Sequence, residues 1–79
     1  MAQVALMSIT HPLTEFRKNH EPPLTQAALA EILGVDRGTV TRWELGTRKI
    51  DDALLLIVSE RTGIPARNLR PDLAYIFKD

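Results

Sequence analysis

The sequence holds no cysteine and only two histidines, His11 and His20. The first absence excludes a disulfide scaffold and a thiolate metal site. The second leaves too few imidazoles for most His-rich metal centres, and the two have no metal-ligand spacing. No apolar stretch approaches the roughly 20 residues needed to span a bilayer. The first residues lack a basic region leading into an apolar run, so no secretory signal is expected. There is no glycine-rich phosphate loop, no repeat and no low-complexity tract, and Ser8 and Ser59 have no obvious base. Catalysis, metal and cofactor are therefore not expected. The 79 residues support one small domain, expected in the cytoplasm and away from membranes.

An excess of either charge is lacking too. Ten basic and ten acidic residues give a formal net charge of zero. Taken whole, that argues against nucleic acid as a partner, because affinity for phosphate comes from Lys and Arg. The distribution changes the reading. Residues 37–49 carry Arg37, Arg42, Arg48 and Lys49 against Glu44 alone, a local charge of +3, and the rest of the chain carries −3. A locally positive surface on an acidic body can face DNA. The same charges on a solvated helix face with ordinary ion pairs would carry no function, and charge alone favours that second reading.

Glycine and proline divide the chain. Residues 1–10 are apolar and small, without helical caps. They read as a flexible arm or, at 4–9, a short strand, which leaves 11–79 as the domain. Pro12 suits the first turn of a helix that continues over 13–19, with Leu13 and Phe16 on one face. Pro22 and Pro23 stop it. Thr25 reads as the N-cap of a second helix, 26–33, whose buried stripe is Leu29, Ile32 and Leu33. Gly34 follows as a left-handed stop. Asp36 caps a third helix, 37–45, with Val40 and Trp43 as its apolar positions and Gly46 closing it. Asp51 and Asp52 open a fourth helix, with negative charge where the dipole favours it. Its run 53–58 is apolar on all sides, the mark of the central, most buried helix. Gly63 ends it, Pro65 opens a turn through Leu69, and Pro71 with Asp72 starts a last short helix ending near Phe77. The expected class is all-α, a compact bundle of four to five helices.

The informative feature is the pair of helices joined at Gly34. A turn of about three residues between two helices is the helix-turn-helix arrangement, and its spacing can be tested position by position. With Gln26 as the first position, a small residue is needed at the fifth, where the helices cross, and Ala30 is there. A left-handed residue is needed at the ninth, and Gly34 is there. Apolar residues are needed at the fourth, eighth, tenth, fifteenth and eighteenth. Leu29, Leu33, Val35, Val40 and Trp43 fill them. Single matches are common, whereas the full set with the right turn length is a strong signal.

Residues 25–35, TQAALAEILGV, and 39–48, TVTRWELGTR, resemble the Cro/phage-repressor (XRE-type) helix-turn-helix family. The tail, with Thr62-Gly63-Ile64-Pro65 and Leu69-Arg70-Pro71-Asp72-Leu73, looks like the small Cro-type subfamily named YdaS. The resemblance covers roughly residues 13–73. It implies a lambda-repressor-like five-helix domain that binds double-stranded DNA and regulates transcription, acting as a repressor. The setting it implies is the bacterial nucleoid or a phage-infected host. Such a regulator belongs to a phage or prophage, or to a toxin–antitoxin pair with a toxin as partner.

In such a domain the third helix lies in the major groove, which distinguishes all four base pairs. Its first exposed turns carry Arg37, Gly38, Thr41 and Arg42, the candidates for base contacts, with the two arginines as guanine readers. Gly38 departs from the family, which usually has a polar reader there. Glycine costs helix stability, roughly 0.5–1 kcal/mol relative to alanine, and it permits close approach to DNA. Thr25 and Gln26, at a helix N-terminus suited to phosphate, and Thr39, Thr47, Arg48 and Lys49 are the candidate phosphate contacts. The family resemblance also implies that Gln26 braces the recognition helix and that Arg17 pairs with Glu44. Ala30, Gly34, Val40 and Trp43 are structural. Trp43 could stack on single-stranded bases, but its spacing from Val40 places it in the core. One recognition helix reads few base pairs, so a homodimer on a palindromic operator is expected. Candidate dimer contacts are Tyr75, Ile76 and Phe77 and the arm at Val4, Leu6 and Ile9. The competing reading is a helical protein-interaction module that keeps the fold without DNA binding.

Overall fold

A computed structural model describes residues 10–76. The described residues form five α-helices, α1 (Pro12–Asn19), α2 (Gln26–Leu33), α3 (Arg37–Leu45), α4 (Asp52–Thr62) and α5 (Ala66–Leu69), then a single 3-10 turn, Pro71–Leu73. Among the described residues there is no strand. The fold is thus all-helical. The arm proposed for residues 1–9, including Val4, Leu6 and Ile9, and the candidate contact at Phe77 lie outside the described residues.

The first three helix starts have a side-chain cap as their local cause. Pro12 occupies the first turn of α1, and the His11 imidazole caps it, its Nδ1 accepting the Leu13 N–H at 3.1 Å. Histidine is an uncommon cap, which is why the sequence shows no cap there. The Thr25 hydroxyl accepts the Ala28 N–H at 3.0 Å, and Asp36 Oδ1 accepts the Thr39 N–H at 3.2 Å. Both are ordinary N-caps that satisfy an otherwise unpaired donor. The stop between α2 and α3 is Gly34 at φ 77°, whose N–H and that of Val35 return to the last carbonyls of α2. A side chain at that φ would press its Cβ against the following carbonyl.

The core contains Leu13, Leu29, Ala30, Leu33, Val40, Trp43, Ile50, Leu55, Val58 and Leu69. Phe16, Val35, Leu54, Ile64 and Leu73 pack around it half-buried. Two core members, Ile50 and Leu69, stand alone among polar neighbours in the sequence, so no periodicity reveals them. Both are drawn in by the chain folding back. The α1 helix packs on α3 and α5, and α4 packs on α2 and α5.

Three sequence expectations are corrected. Ile32 is exposed at 37% rather than part of the α2 stripe. The buried face of α2, which packs against α3 and α4, is Leu29, Ala30 and Leu33, and Ile32 lies at its rim. The α4 helix is not the buried centre of the domain. Leu55 and Val58 are buried, but Ala53, Leu56 and Ile57 are exposed, Leu56 at 67%. A run that is apolar all round hides which face has neighbours, and here only one does. The last element is a single 3-10 turn followed by looser turns, because the Arg70 and Pro71 carbonyls accept the N–H groups of Leu73 and Ala74, three residues on.

Candidate nucleic-acid interface

Helix α3 has two unlike faces. Val40 and Trp43 are wholly inaccessible, whereas Arg37 and Arg42 are exposed. Gly38 and Thr41 lie half-buried between them. Ala30, 3% exposed, is buried on α2, which packs against α3. A larger residue there would hold the helices apart. A shallow concavity of about 460 Å³ runs along α2 past Ala27, Ala30 and Val35, with Arg37 at its rim.

The angle of α3 is held by a polar chain that starts in α1. Arg17 Nε donates to Glu44 Oε2 at 2.7 Å, and its Nη2 donates to Oε1 at 2.8 Å. This is a two-point pair with side chains only 14% and 6% exposed. Gln26 Nε2 donates to the same Oε1 at 3.0 Å, and the Thr41 hydroxyl lies 2.9 Å from Gln26 Oε1 and 3.1 Å from the Arg37 carbonyl. Arg17 also reaches the Leu24 carbonyl at 3.1 Å. One side-chain network therefore joins α1, the first turn of α2 and both ends of α3. Burial pushes the Glu44 carboxyl up, but hydrogen bonds from Arg17, Gln26 and Thr14 outweigh it and hold the group below the usual carboxylate range. The Arg17–Glu44 pair removes from the interface the one acid of the basic segment. The family resemblance implies that Gln26 braces this helix, but that Thr41 is its partner is invisible in sequence, since neither residue is apolar and no spacing rule joins them.

The other candidates line the ends of α2 and α3. Thr25 is exposed and spends one lone pair on the cap. The Thr39 hydroxyl donates to Asp36 Oδ1, so in the free chain it faces the cap. The Thr47 hydroxyl donates to the Arg42 carbonyl at 3.2 Å, closing the end of α3. Arg48 and Lys49 follow, exposed, with long ion pairs to Asp51 at 3.6 Å and Asp72 at 3.5 Å. Pairs this exposed contribute little and exchange readily for another anion. Among the described residues, no cluster of His, Asp and Glu could hold a metal ion, and no helix is long and apolar enough to cross a membrane.

The helix-turn-helix family profile matches residues 16–69, from within α1 to the end of α5. The chain belongs to that family. No curated protein and no solved structure is matched by the chain. The match takes in all of α2, the Gly34 turn and α3. This helix-turn-helix protein is thus of the XRE type, a DNA-binding class that regulates transcription, and its partner is double-stranded DNA.

Proposed function

We propose that this helix-turn-helix protein is a sequence-specific repressor of the small Cro-like, YdaS-like kind, of phage, prophage or toxin–antitoxin origin. In this reading α3 enters the major groove and two copies bind a palindromic operator. The observation that carries the reading is the division of α3. Its inner face, Val40 and Trp43, is fully buried, while Arg37 and Arg42 stand exposed on an outer face free of acidic side chains except the capping Asp36. Arginine presents a fixed fork that matches the O6 and N7 acceptors of guanine. Thr41 and Gly38 border the two arginines and complete the reading surface.

Phosphate contacts then fall on both sides of α3. The first turn of α2, with Thr25 and Gln26, offers N–H groups and the positive end of the helix dipole. Because both ends of the Gln26 amide are engaged within the protein, its part is to set the angle of α3 while its backbone meets the phosphate. Thr39 contributes from the first turn of α3. Thr47, Arg48 and Lys49 form the second clamp. Exposed Tyr75 and Ile76, at 71% and 58%, supply an apolar surface for the second copy.

Selection from a randomised double-stranded DNA pool tests the reading. A palindromic motif with guanine in each half is the expected result, and no enrichment would overturn it. Replacing Arg37 and Arg42 together by alanine should leave the melting temperature within a few degrees. Each lost bidentate contact removes about 1–3 kcal/mol of base discrimination, read as competition between the selected duplex and a scrambled one.

A further inference from the structure

We infer that Gly38 is the positioning residue for Arg42: the bare backbone at residue 38 is the seat on which the Arg42 guanidinium rests. A Cβ built on Gly38 would lie 3.4 Å from Arg42 Nη1, 3.8 Å from its Nη2 and 3.8 Å from Asp36 Oδ2. Residues 38 and 42 are one turn apart on the same face of α3. A long helical side chain leans toward the helix N-terminus and covers the turn before its own. Arg42 does so here, and the position it covers has no side chain. Its guanidinium therefore reaches the leading turn of α3, where Arg37 also stands, beside the carboxylate of the capping Asp36. That carboxylate is held ionised by the Thr39 hydroxyl and N–H, with the Arg42 charge adding to them.

The inference rests on the DNA-binding reading and deepens it. A reader whose charge is carried to the front of the recognition helix addresses a different base pair from one that projects straight out from residue 42. Gly38 then sets specificity without itself offering a hydrogen bond. The distances make the effect graded. A Cβ alone sits in ordinary van der Waals contact with Nη1, so alanine leaves the guanidinium in place. A longer side chain competes with the guanidinium for the volume beside this Cβ.

The experiment compares wild type with Gly38→Ala, Gly38→Leu, Arg42→Ala and the Gly38→Leu/Arg42→Ala double variant. Each is melted by circular dichroism and then run through the same randomised duplex pool. Leucine fills the volume without bringing a donor or acceptor of its own. Gly38→Ala and Gly38→Leu should melt at or above the wild-type temperature, since both residues favour helix over glycine. Gly38→Ala, whose Cβ only touches the guanidinium, should lose less discrimination at the base pair read by Arg42 than Gly38→Leu does. Gly38→Leu should lose discrimination at one base pair of each half-site, the same one lost in Arg42→Ala, by about tenfold or more. The double variant should lose no more than Arg42→Ala alone. Should Gly38→Leu melt low, Gly38→Met, with the same reach and more freedom, gives the same reading. An unchanged motif in Gly38→Leu overturns the inference. So does an equal loss in Gly38→Ala, which would mean that the glycine serves the approach of backbone to DNA. Additive losses in the double variant overturn it as well. Failure of the wild-type chain to enrich any motif overturns the DNA reading itself, and this inference with it.

Discussion

At the scale of single residues, His11 and Glu44 are two of the groups that couple the fold to pH. Burial pushes the His11 imidazole below its ordinary 6.5, with Glu44 offsetting part of the effect. The neutral ring is also the form whose Nδ1 can accept the Leu13 N–H. Between the lowered value and 6.5 the unfolded chain binds more protons than the folded one. Stability therefore rises with pH across that window and is lost as pH falls through it. Glu44, held below the carboxylate range, adds a second loss at lower pH, once the unfolded carboxyl begins to protonate near 4.5. Urea midpoints measured from pH 4 to pH 8 should show both. In His11→Asn, which keeps a good capping acceptor and removes the titration, the slope just below 6.5 should vanish while the lower one remains. Arg17–Glu44 was within reach of the sequence because the family resemblance implied it. The cap at His11 was not, since its value depends on how deeply α3 and α5 bury the ring.

The elements differ in how plainly the sequence announces them. Helices α2 and α3 carry conventional caps at Thr25 and Asp36 and glycine stops at Gly34 and Gly46, so their bounds follow from local chemistry alone. Helix α4 has a glycine stop at Gly63, an N-cap residue, Asp51, whose side chain makes no capping bond, and a misleading middle. Five consecutive large apolar residues, 54–58, give no periodicity, and which of them is buried depends on where α2 and α5 press. The consequence is measurable. Leu55→Ala should destabilise by about 2–5 kcal/mol, as for other buried leucines. Leu56→Ala, two-thirds exposed in wild type, should stay within about 0.5 kcal/mol. Chemical denaturation of the two variants decides between this one-sided burial and a central helix. The end of the chain shows a third case. Arg70, with its side chain 12% exposed, donates to the Ile50 carbonyl and to Asp52, both at 2.7 Å, and to Asp72 at 3.0 and 2.9 Å. Its guanidinium holds the Asp72 carboxyl well below the usual range. That clamp fastens the tail, 70–72, to residues 50–52 at the start of α4, and no local pattern foretells it.

At the scale of the whole molecule, zero net charge does not oppose binding to a polyanion, because the charge is sorted by segment. The basic residues of 37–49 lie on or just after α3, and the acid among them, Glu44, is turned inward onto Arg17. Sorting of this kind makes affinity depend on salt through the few phosphates actually touched. The logarithm of the binding constant should fall linearly with the logarithm of salt concentration. Replacing Arg48 or Lys49 with alanine should lower that slope by about one each while leaving the preferred motif unchanged. The outcome opposite to that for Arg37 and Arg42 would reverse the roles assigned here. Fluorescence anisotropy on the selected duplex at several salt concentrations measures both quantities.

What the sequence determined by itself was everything set over short range. The helix starts at Thr25 and Asp36, the left-handed reversal at Gly34, the small residue at the crossing and the two core residues of α3 follow from caps, φ preferences and spacing. Those features suffice to specify a helix-turn-helix. The tertiary structure alone decided which side of α4 has a neighbour, that the brace of Gln26 runs between Thr41 and Glu44, and that Arg42 lies over Gly38. The reason is physical. Burial and side-chain direction depend on what approaches from elsewhere in the chain, and a one-dimensional pattern carries that information only where a periodic apolar face already marks the side that others must cover.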